Sequence, residues 1–321
     1  MRIAVLRGGR SSEHEISLQS GSSVAAGLRE AGHEVIEVTI ERDGRWLVSG
    51  EDLSLVPAQG LLGADAAFPV LHGPGGEDGS VQGLLECLDV PYVGSDVESS
   101  ALCLDKLVFK RLLNGAGIPQ VDFCEAGEEG WRERVTSFGQ PVWVKPARLG
   151  SSVGIAPASG PDELERAVED ARRHDPKVIV EAPAPGKEVE CSLLGNADPQ
   201  VSPPGEIVTQ ASDWYDYEAK YAEGGMELRV PAEISESATR RLRDLAGSVF
   251  TLCGCSGLAR CDFFVDGETV LVNELNTIPG FTETSVYGKL WEAEGIAYSE
   301  LCDRLVQLAL ERYSTVRSYE F

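Results

Sequence analysis

Through the first hundred residues, short apolar runs alternate with helix-patterned stretches, and the runs end in glycine. Residues 3–6 are an apolar run that meets Arg7-Gly8-Gly9 at once. The run 66–71 enters His72-Gly73-Pro74-Gly75-Gly76 in the same way. Between them, 17–31 carries a helical pattern closed by Gly32, and 34–40 is a second strand-like run. Residues 80–88 read as helix and 90–93 as a short strand. Alternating β and α units with short glycine-rich turns predict a parallel α/β sheet. Such sheets bind ligands at the carboxyl ends of their strands, here residues 7–15 and 72–79.

The opening run is too short for the apolar core of a signal peptide. No apolar stretch approaches the ~20 residues of a membrane span. A cytoplasmic protein without membrane contact is therefore expected. At roughly 100–200 residues per domain, 321 residues predict two or three domains. The hydrophobic fraction of 42% suffices for a sizeable core. Against 52 Asp and Glu stand only 28 Lys and Arg, a net charge of −24. That field repels phosphate backbones and argues against a nucleic-acid partner. Of eight cysteines only Cys253, Cys255 and Cys261 cluster, with no histidine nearby, so reduced thiols are expected rather than a zinc site.

Further along, 105–115 reads as an amphipathic helix, 141–145 as a strand and 150–154 as a Gly/Ser loop. Residues 161–173 form a helix with acids in its first turn and arginines in its last, matching the helix dipole. A strand follows at 177–181, then Pro183, Pro185 and Gly186, which suggest a hinge. A polar stretch covers 209–225, a helix 235–252, a hairpin 258–276 and a last helix 298–313.

Two common nucleotide motifs are missing. Gly186-Lys187 is followed by Glu188 and Gly288-Lys289 by Leu290, so there is no phosphate loop, and Gly8-Gly9 is no dinucleotide fingerprint. The hairpin carries the sharpest local signal. Arg260, Asp262 and Phe264 share one face of its first strand. On the returning strand the spacing puts Val270, Val272, Glu274 and Asn276 together. A three-residue loop with a bulge sets Asp262 beside Val272 and Arg260 beside Glu274, gathering the polar groups; a two-residue loop separates them. The first register is expected, unless a further bulge intervenes. Two carboxylates and an amide oxygen suit Mg²⁺, and an arginine among them suits a phosphate or an oxyanion. An Arg–carboxylate ladder on a solvated face is an equally weighted reading of the hairpin by itself.

Taken jointly, the motifs resemble the D-alanine–D-alanine ligases of the ATP-grasp superfamily, over nearly the whole chain. They are Gly8-Gly-Arg-Ser-Ser-Glu13-His-Glu-Ile-Ser17, Leu71-His72-Gly-Pro-Gly-Gly-Glu-Asp-Gly79, Leu104-Asp105-Lys106, Lys145-Pro with Gly150-Ser-Ser-Val-Gly154, Tyr215-Asp-Tyr-Glu-Ala-Lys-Tyr221, and Asn273-Glu-Leu-Asn-Thr-Ile-Pro-Gly280. The resemblance implies an α/β fold of three domains, with an N-terminal Rossmann-like (pre-ATP-grasp) substrate domain at 1–98. A central ATP-grasp subdomain at 99–184 and a C-terminal one with the metal site at 185–321 follow. It implies ligation of two D-alanine molecules through a D-alanyl phosphate, for peptidoglycan precursor synthesis, in a homodimer. D-lactate or D-serine as second substrate is the alternative, as is a sensor that binds ATP without turnover.

The same resemblance implies roles. Asp262, Glu274 and Asn276 would hold two Mg²⁺ (or Mn²⁺). Lys106, Lys145 and Lys220 would contact the ATP phosphates, and Glu181 and Glu188 the adenine and ribose. Arg260 and the Gly280 N–H would stabilise the oxyanion. Glu13, Ser151 and Tyr221 would form the set that orients the first D-alanine, with Ser151 in the loop over the ATP phosphates. His72 would lie near that substrate and Ser285 at the second carboxylate. Each has a plainer reading: Glu13 as a helix cap, His72 as a satisfied buried histidine, Tyr221 as loop packing. Two stretches depart from the family pattern. Ala182-Pro183-Ala184 lacks the usual aromatic against adenine, and Gly288 replaces a common proline near the second-substrate pocket. Tyr221 favours the dipeptide product.

Overall fold

The computed structural model describes residues 1–150, 153–209 and 226–319. The first sheet contains β1 (Arg2–Gly8), β2 (Glu34–Ile40), β3 (Trp46–Val48), β4 (Glu51–Asp52) and β5 (Ala66–Pro69). Their order is β4-β3-β2-β1-β5. β1 runs parallel to β2 and β5, as the alternation predicts, but β3 and β4 add an antiparallel edge. Their short, mixed sequences carry no alternation to announce them. The expected strand at 90–93 reduces to one parallel bridge between Ala67 and Tyr92.

Alternation decides what covers each face of this sheet. Ile3 and Val5 pack with Val24 and Leu28 of α1 (His14–Glu30), and with Leu301 and Leu305 much later in the chain. Ala4 and Leu6 point the other way, toward Leu85 and Leu88 of α2 (Ser80–Leu88). Both faces are thus covered, the usual condition of parallel strands. At the carboxyl end of β1, Gly8 has φ +93, and a Cβ there would lie 2.3 Å from the Ile40 carbonyl oxygen. Only glycine permits that approach.

Asp96 caps α3 (Val97–Leu104) by accepting from Ser99 N, and Asp105 caps α4 (Lys106–Gly115) by accepting from Leu107 N and Val108 N. The second sheet is antiparallel, in the order β6-β9-β7-β8. Its strands are β6 (Phe123–Glu125), β7 (Val142–Pro146), β8 (Ala156–Ala158) and β9 (Val178–Glu181). Trp131 of α5 (Trp131–Val135) and Leu164, Val168 and Ala171 of α6 (Pro161–Arg172) cover one face. Leu107 of α4 packs on the other, with Phe123, Ala147 and Ile179.

The third sheet holds β10 (Lys187–Gly195), β11 (Gln200–Val201), β12 (Gly205–Thr209), β13 (Met226–Arg229), β14 (Gly257–Asp266) and β15 (Thr269–Asn276). Its order is β13-β12-β10-β14-β15, with β11 on β10. α7 (Glu236–Leu252) packs Leu242 and Phe250 against it, and α4 adds Phe109 and Leu113 to the same core. α4 therefore lies between the second and third sheets, and the cleft described below opens where those sheets face each other. The chain ends in α8 (Val286–Ala293) and α9 (Tyr298–Arg317), which returns Leu301, Leu305 and Val306 to the first core. Among the described residues no helix is long and apolar enough to cross a membrane.

Candidate active site

The hairpin β14–β15 corrects the expected register. Asp266 pairs with Thr269, a two-residue loop, and the ladder shifts by one between Asp262 and Phe263. Phe263 opposes Val272, whereas Asp262 opposes Glu274 and Arg260 opposes Asn276. Asn273 is the extra residue of a β-bulge. Val270 and Val272 therefore turn into the core with Phe263 and Val265, not onto the polar face. Glu274 and Asn276 turn the other way, beside Asp262 and Arg260. The polar gathering that the sequence predicts is present, produced by a bulge inside the strand rather than by the turn.

On that face Arg260 clamps Asp262, with Nε donating to Oδ1 at 2.8 Å and Nη2 to Oδ2 at 2.7 Å. Its Nε also lies 3.0 Å from Glu190 Oε2 on β10. Burial would lower the guanidinium's pKa, but the Asp262 and Glu190 charges outweigh it and hold Arg260 well above its ordinary value. Asn276 Oδ1 accepts from Ile278 N at 3.1 Å, starting the turn that follows. Lys106, at the head of α4, donates to the Leu149 carbonyl at 2.7 Å and lies 3.8 Å from Glu274 Oε2.

Between the second and third sheets lies a cleft of about 280 Å³, lined by Lys106, Lys145, Glu181, Glu188, Asp262 and Glu274. Trp143, Ala182 and Phe264 form part of its wall. Lys145 opposes Ile179 and Trp143 opposes Glu181, so Lys145 and Glu181 are diagonal neighbours on one face. Their contact is 2.6 Å from Nζ to Oε2. Burial would push the Glu181 carboxyl up; the Lys110 and Lys145 charges reverse that and bring it down to about 2. Burial likewise opposes the charge on Lys145, but Glu181 more than offsets this and raises its pKa.

The turns at the carboxyl ends of β1 and β5 meet beside this cleft. Glu13 is buried at the start of α1, and its side chain makes no capping hydrogen bond. Its Oε2 would lie 2.9 Å from a Cβ at Gly73 and 3.4 Å from one at Gly150, so both loops close on this carboxylate. His72 is buried, with Nδ1 3.1 Å from the Ile278 carbonyl and Nε2 3.1 Å from Ser20 Oγ. A carbonyl partner makes Nδ1 the donor, leaving Nε2 to accept from Ser20. Desolvation lowers the His72 pKa against the opposing Glu13 charge, so the ring is held neutral. Phe281 N donates to Ser20 Oγ at 3.4 Å, which brings the 277–281 turn to His72. There a Cβ on Gly280 would lie 3.2 Å from Ser285 Oγ, which accepts from Thr282 N at 3.0 Å. Ser151, Lys220 and Tyr221 lie outside the described residues, as does the aromatic segment that begins at Trp214.

The family model described as D-ala D-ala ligase N-terminus matches residues 2–60 and 57–95, and that described as D-ala D-ala ligase C-terminus matches 112–307. The chain belongs to the D-Ala-D-Ala ligase family. A D-alanine--D-alanine ligase of Deinococcus radiodurans is 47% identical over 97% of this chain and 98% of the relative. One of Caldicellulosiruptor bescii is 41% identical over 100% and 98%. The solved D-alanine-D-alanine ligase of Coxiella burnetii superposes with a TM-score of 0.90 at 35% identity, covering 99% of this chain and 96% of that one. The VanG D-Ala:D-Ser ligase of Enterococcus faecalis gives 0.85, also at 35% identity, over 96% and 99%.

Three side chains of this D-Ala-D-Ala ligase family member escape the sequence reading. Glu190 lies two residues from Glu188 on the same face of β10, opposite Asp262; strand alternation was the available signal. Glu77 is buried, accepts from Gly73 N at 3.0 Å and borders a hollow of about 40 Å³ that shares Lys106, Gly150 and Glu274 with the cleft. Burial, with the Glu13 charge adding to it, raises the Glu77 carboxyl well above the usual carboxylate range. Lys110 lies one turn beyond Lys106 and reaches Glu181 from the far side. Nothing in the sequence separates it from a surface lysine.

Proposed function

We propose that this chain joins two D-alanine molecules into D-alanyl-D-alanine, converting ATP to ADP and phosphate, for peptidoglycan precursor synthesis. What carries the reading is the convergence of Lys106, Lys145, Glu181, Asp262 and Glu274 on one cleft, in a chain that matches ligases along nearly its whole length. A free carboxylate is a poor acyl donor. In the reaction one D-alanine carboxylate oxygen attacks the γ-phosphorus and ADP departs, leaving a D-alanyl phosphate. The amine of the second D-alanine then attacks the acyl carbon, loses a proton, and expels phosphate.

The side chains divide this work. Lys106 and Lys145 meet the phosphate charge, with Lys220 a third cation for it. Glu181 and Glu188 take the adenine and ribose, and Trp143 and Phe264 supply the flat surfaces missing from Ala182-Pro183-Ala184. Glu13 pairs with the first ammonium, a charge-assisted bond worth roughly 1.5–3 kcal/mol; Ser151 and Tyr221 complete that set. His72, neutral and doubly bonded, fixes the wall behind it. Arg260 and the Gly280 N–H face the tetrahedral oxyanion, where loss of one donor typically costs roughly 10²–10³ in rate. Ser285, beside Gly280, receives the second carboxylate.

Asp262, Glu274 and Asn276 would hold two Mg²⁺ (or Mn²⁺), which draw charge from the transferring phosphoryl group. The donor set fits: it is all hard oxygen, and its two carboxylates already attract the cations Arg260 and Lys106. Among the described residues no group of three or more His, Cys, Asp or Glu is arranged to hold a metal ion, in keeping with a set of only two carboxylates and an amide. Domain limits at 98 and 184, a cytoplasmic location and a homodimer belong to the same reading; three separate sheets support the limits, and light scattering tests the dimer.

Purified protein with ATP, Mg²⁺ and D-alanine is expected to release phosphate and form a product with the mass of D-alanyl-D-alanine. Absence of phosphate release with any D-amino acid would sink the reading. The likeness to a D-Ala:D-Ser ligase makes D-serine the competing acceptor. Product masses from a panel of D-alanine, D-serine and D-lactate decide between them.

A further inference from the structure

Lys110 has no part in the roles given above, yet its side chain is only 1% exposed. An ammonium at that depth needs a counter-charge. Its Nζ lies 3.2 Å from Glu181 Oε1, while Lys145 Nζ lies 2.6 Å from Oε2 of the same carboxylate. One buried carboxylate thus serves two ammoniums.

The two lysines are not equivalent. Lys145 lines the nucleotide cleft and Lys110 does not. Lys110 sits on the face of α4 that carries Leu107, which is packed against Ile179 and Phe123. Asp105 caps that helix, and Gln120 Nε2 donates to the Lys110 carbonyl at 2.8 Å. Its ammonium also lies 5.9 Å from the Phe123 ring centroid. Lys110 is therefore held in place behind the cleft, whereas Lys145 stands at its surface.

We infer that Lys110 is a positioning residue for nucleotide: the fixed counter-ion of Glu181, which lets Lys145 leave that carboxylate and take phosphate charge. The inference rests on the nucleotide reading of the cleft. A polyphosphate entering it meets Glu181, Glu188, Asp262 and Glu274. If Lys145 were the sole partner of Glu181, turning it toward phosphate would strand a buried carboxylate beside an incoming anion. With Lys110 in place the carboxylate stays neutralised, and Lys145 can move.

The test is calorimetric titration of the full chain with ADP and Mg²⁺, and separately with adenosine, which has no phosphate. Lys110→Met should weaken ADP at least tenfold and adenosine less than threefold. Unchanged ADP affinity, or an equal loss for both ligands, would overturn the inference. In the Glu181→Gln background the carboxylate in contact with Lys145 is gone, so adding Lys110→Met should shift ADP affinity less than threefold. A tenfold loss there would also overturn it, and this pair decides the matter if Lys110→Met alone does not fold. Wild-type protein that failed to bind ADP would instead remove the nucleotide reading, and this inference with it.

Discussion

At the scale of single residues, the site is built from charges that would be intolerable apart. Arg260 offsets the charges of Asp262 and Glu190 together, and Glu181 faces the charges of two lysines. Glu77 is the exception in sign. Burial and the nearby Glu13 charge favour its protonated form, and its Oε2 accepts from Gly73 N, a bond that a neutral side chain also makes. In the unfolded chain a glutamate titrates near pH ~4.3. Between that pH and its raised native value, the folded protein binds more protons than the unfolded one. Stability contributed by this group is therefore present at low pH and falls as pH rises, by up to about 1.4 kcal/mol per unit. Glu77→Gln cannot ionise, so it should remove that slope. Thermal melts of both proteins from pH 5 to 8 are expected to show the mutant gaining on wild type as pH increases. A constant gap would mean that Glu77 is ionised in the native state.

At the scale of elements, the bulge at Asn273 is what lets one strand serve both a core and a site. Val272 and Glu274 are two residues apart, and an unbroken strand would put them on the same face. Val272 is instead fully buried with Phe263, and Glu274 faces the cleft. Val272→Asn should then cost roughly 3 kcal/mol, the loss of apolar burial plus an unpaired buried amide. Had Val272 shared the polar face, that change would be nearly neutral, so a denaturant midpoint separates the two registers. The regular parts of this hairpin were legible in its sequence, because alternation reports faces directly. The bulge was not, because strict alternation carries one phase through the whole strand, whereas the inserted Asn273 switches the phase part-way along it. For the same reason β1, β2, α6 and α7 lie where periodicity and capping residues put them. α3 and β10 were missed, since their burial comes from distant partners, and the β3–β4 edge because its short strands, half-buried and exposed, carry no alternation. Lys106, Lys145 and Glu181 were marked out by motif context, and all three line the cleft. Lys110 was not, since its depth is set by sheets on both sides of α4 rather than by its neighbours in sequence.

At the scale of the whole molecule, the acid excess bears on stability more than on binding. An anionic nucleotide must approach a chain with 52 acids against 28 bases. At ~0.15 M salt the Debye length is roughly 8 Å, so the cations at the cleft outweigh the distant field there. The cations in and around the cleft are drawn inward: Lys106 and Lys145 in its lining, and Lys110 and Arg260 behind it, have side chains at most 16% exposed, each beside a carboxylate. The exterior is left with a large unbalanced negative charge. Surface pairs such as Arg132–Glu165 and Arg304–Glu300 offset little of it, since exposed pairs are worth about 0–1 kcal/mol each. Raising salt weakens those pairs and the general repulsion together. With acids so far in excess, the repulsion is the larger sum, and unfolding relieves it by spreading the charges apart. Between low and molar KCl, where the Debye length shrinks to roughly 3 Å, the melting temperature should rise. Each kcal/mol of relieved repulsion should raise it by about 2–4 °C, the usual conversion for somewhat smaller chains. Scanning calorimetry across that range reads the result, with KCl chosen over sulfate to avoid strengthening apolar burial as well. A melting temperature that stayed level or fell would show that the local pairs, rather than the net charge, govern the stability of this fold.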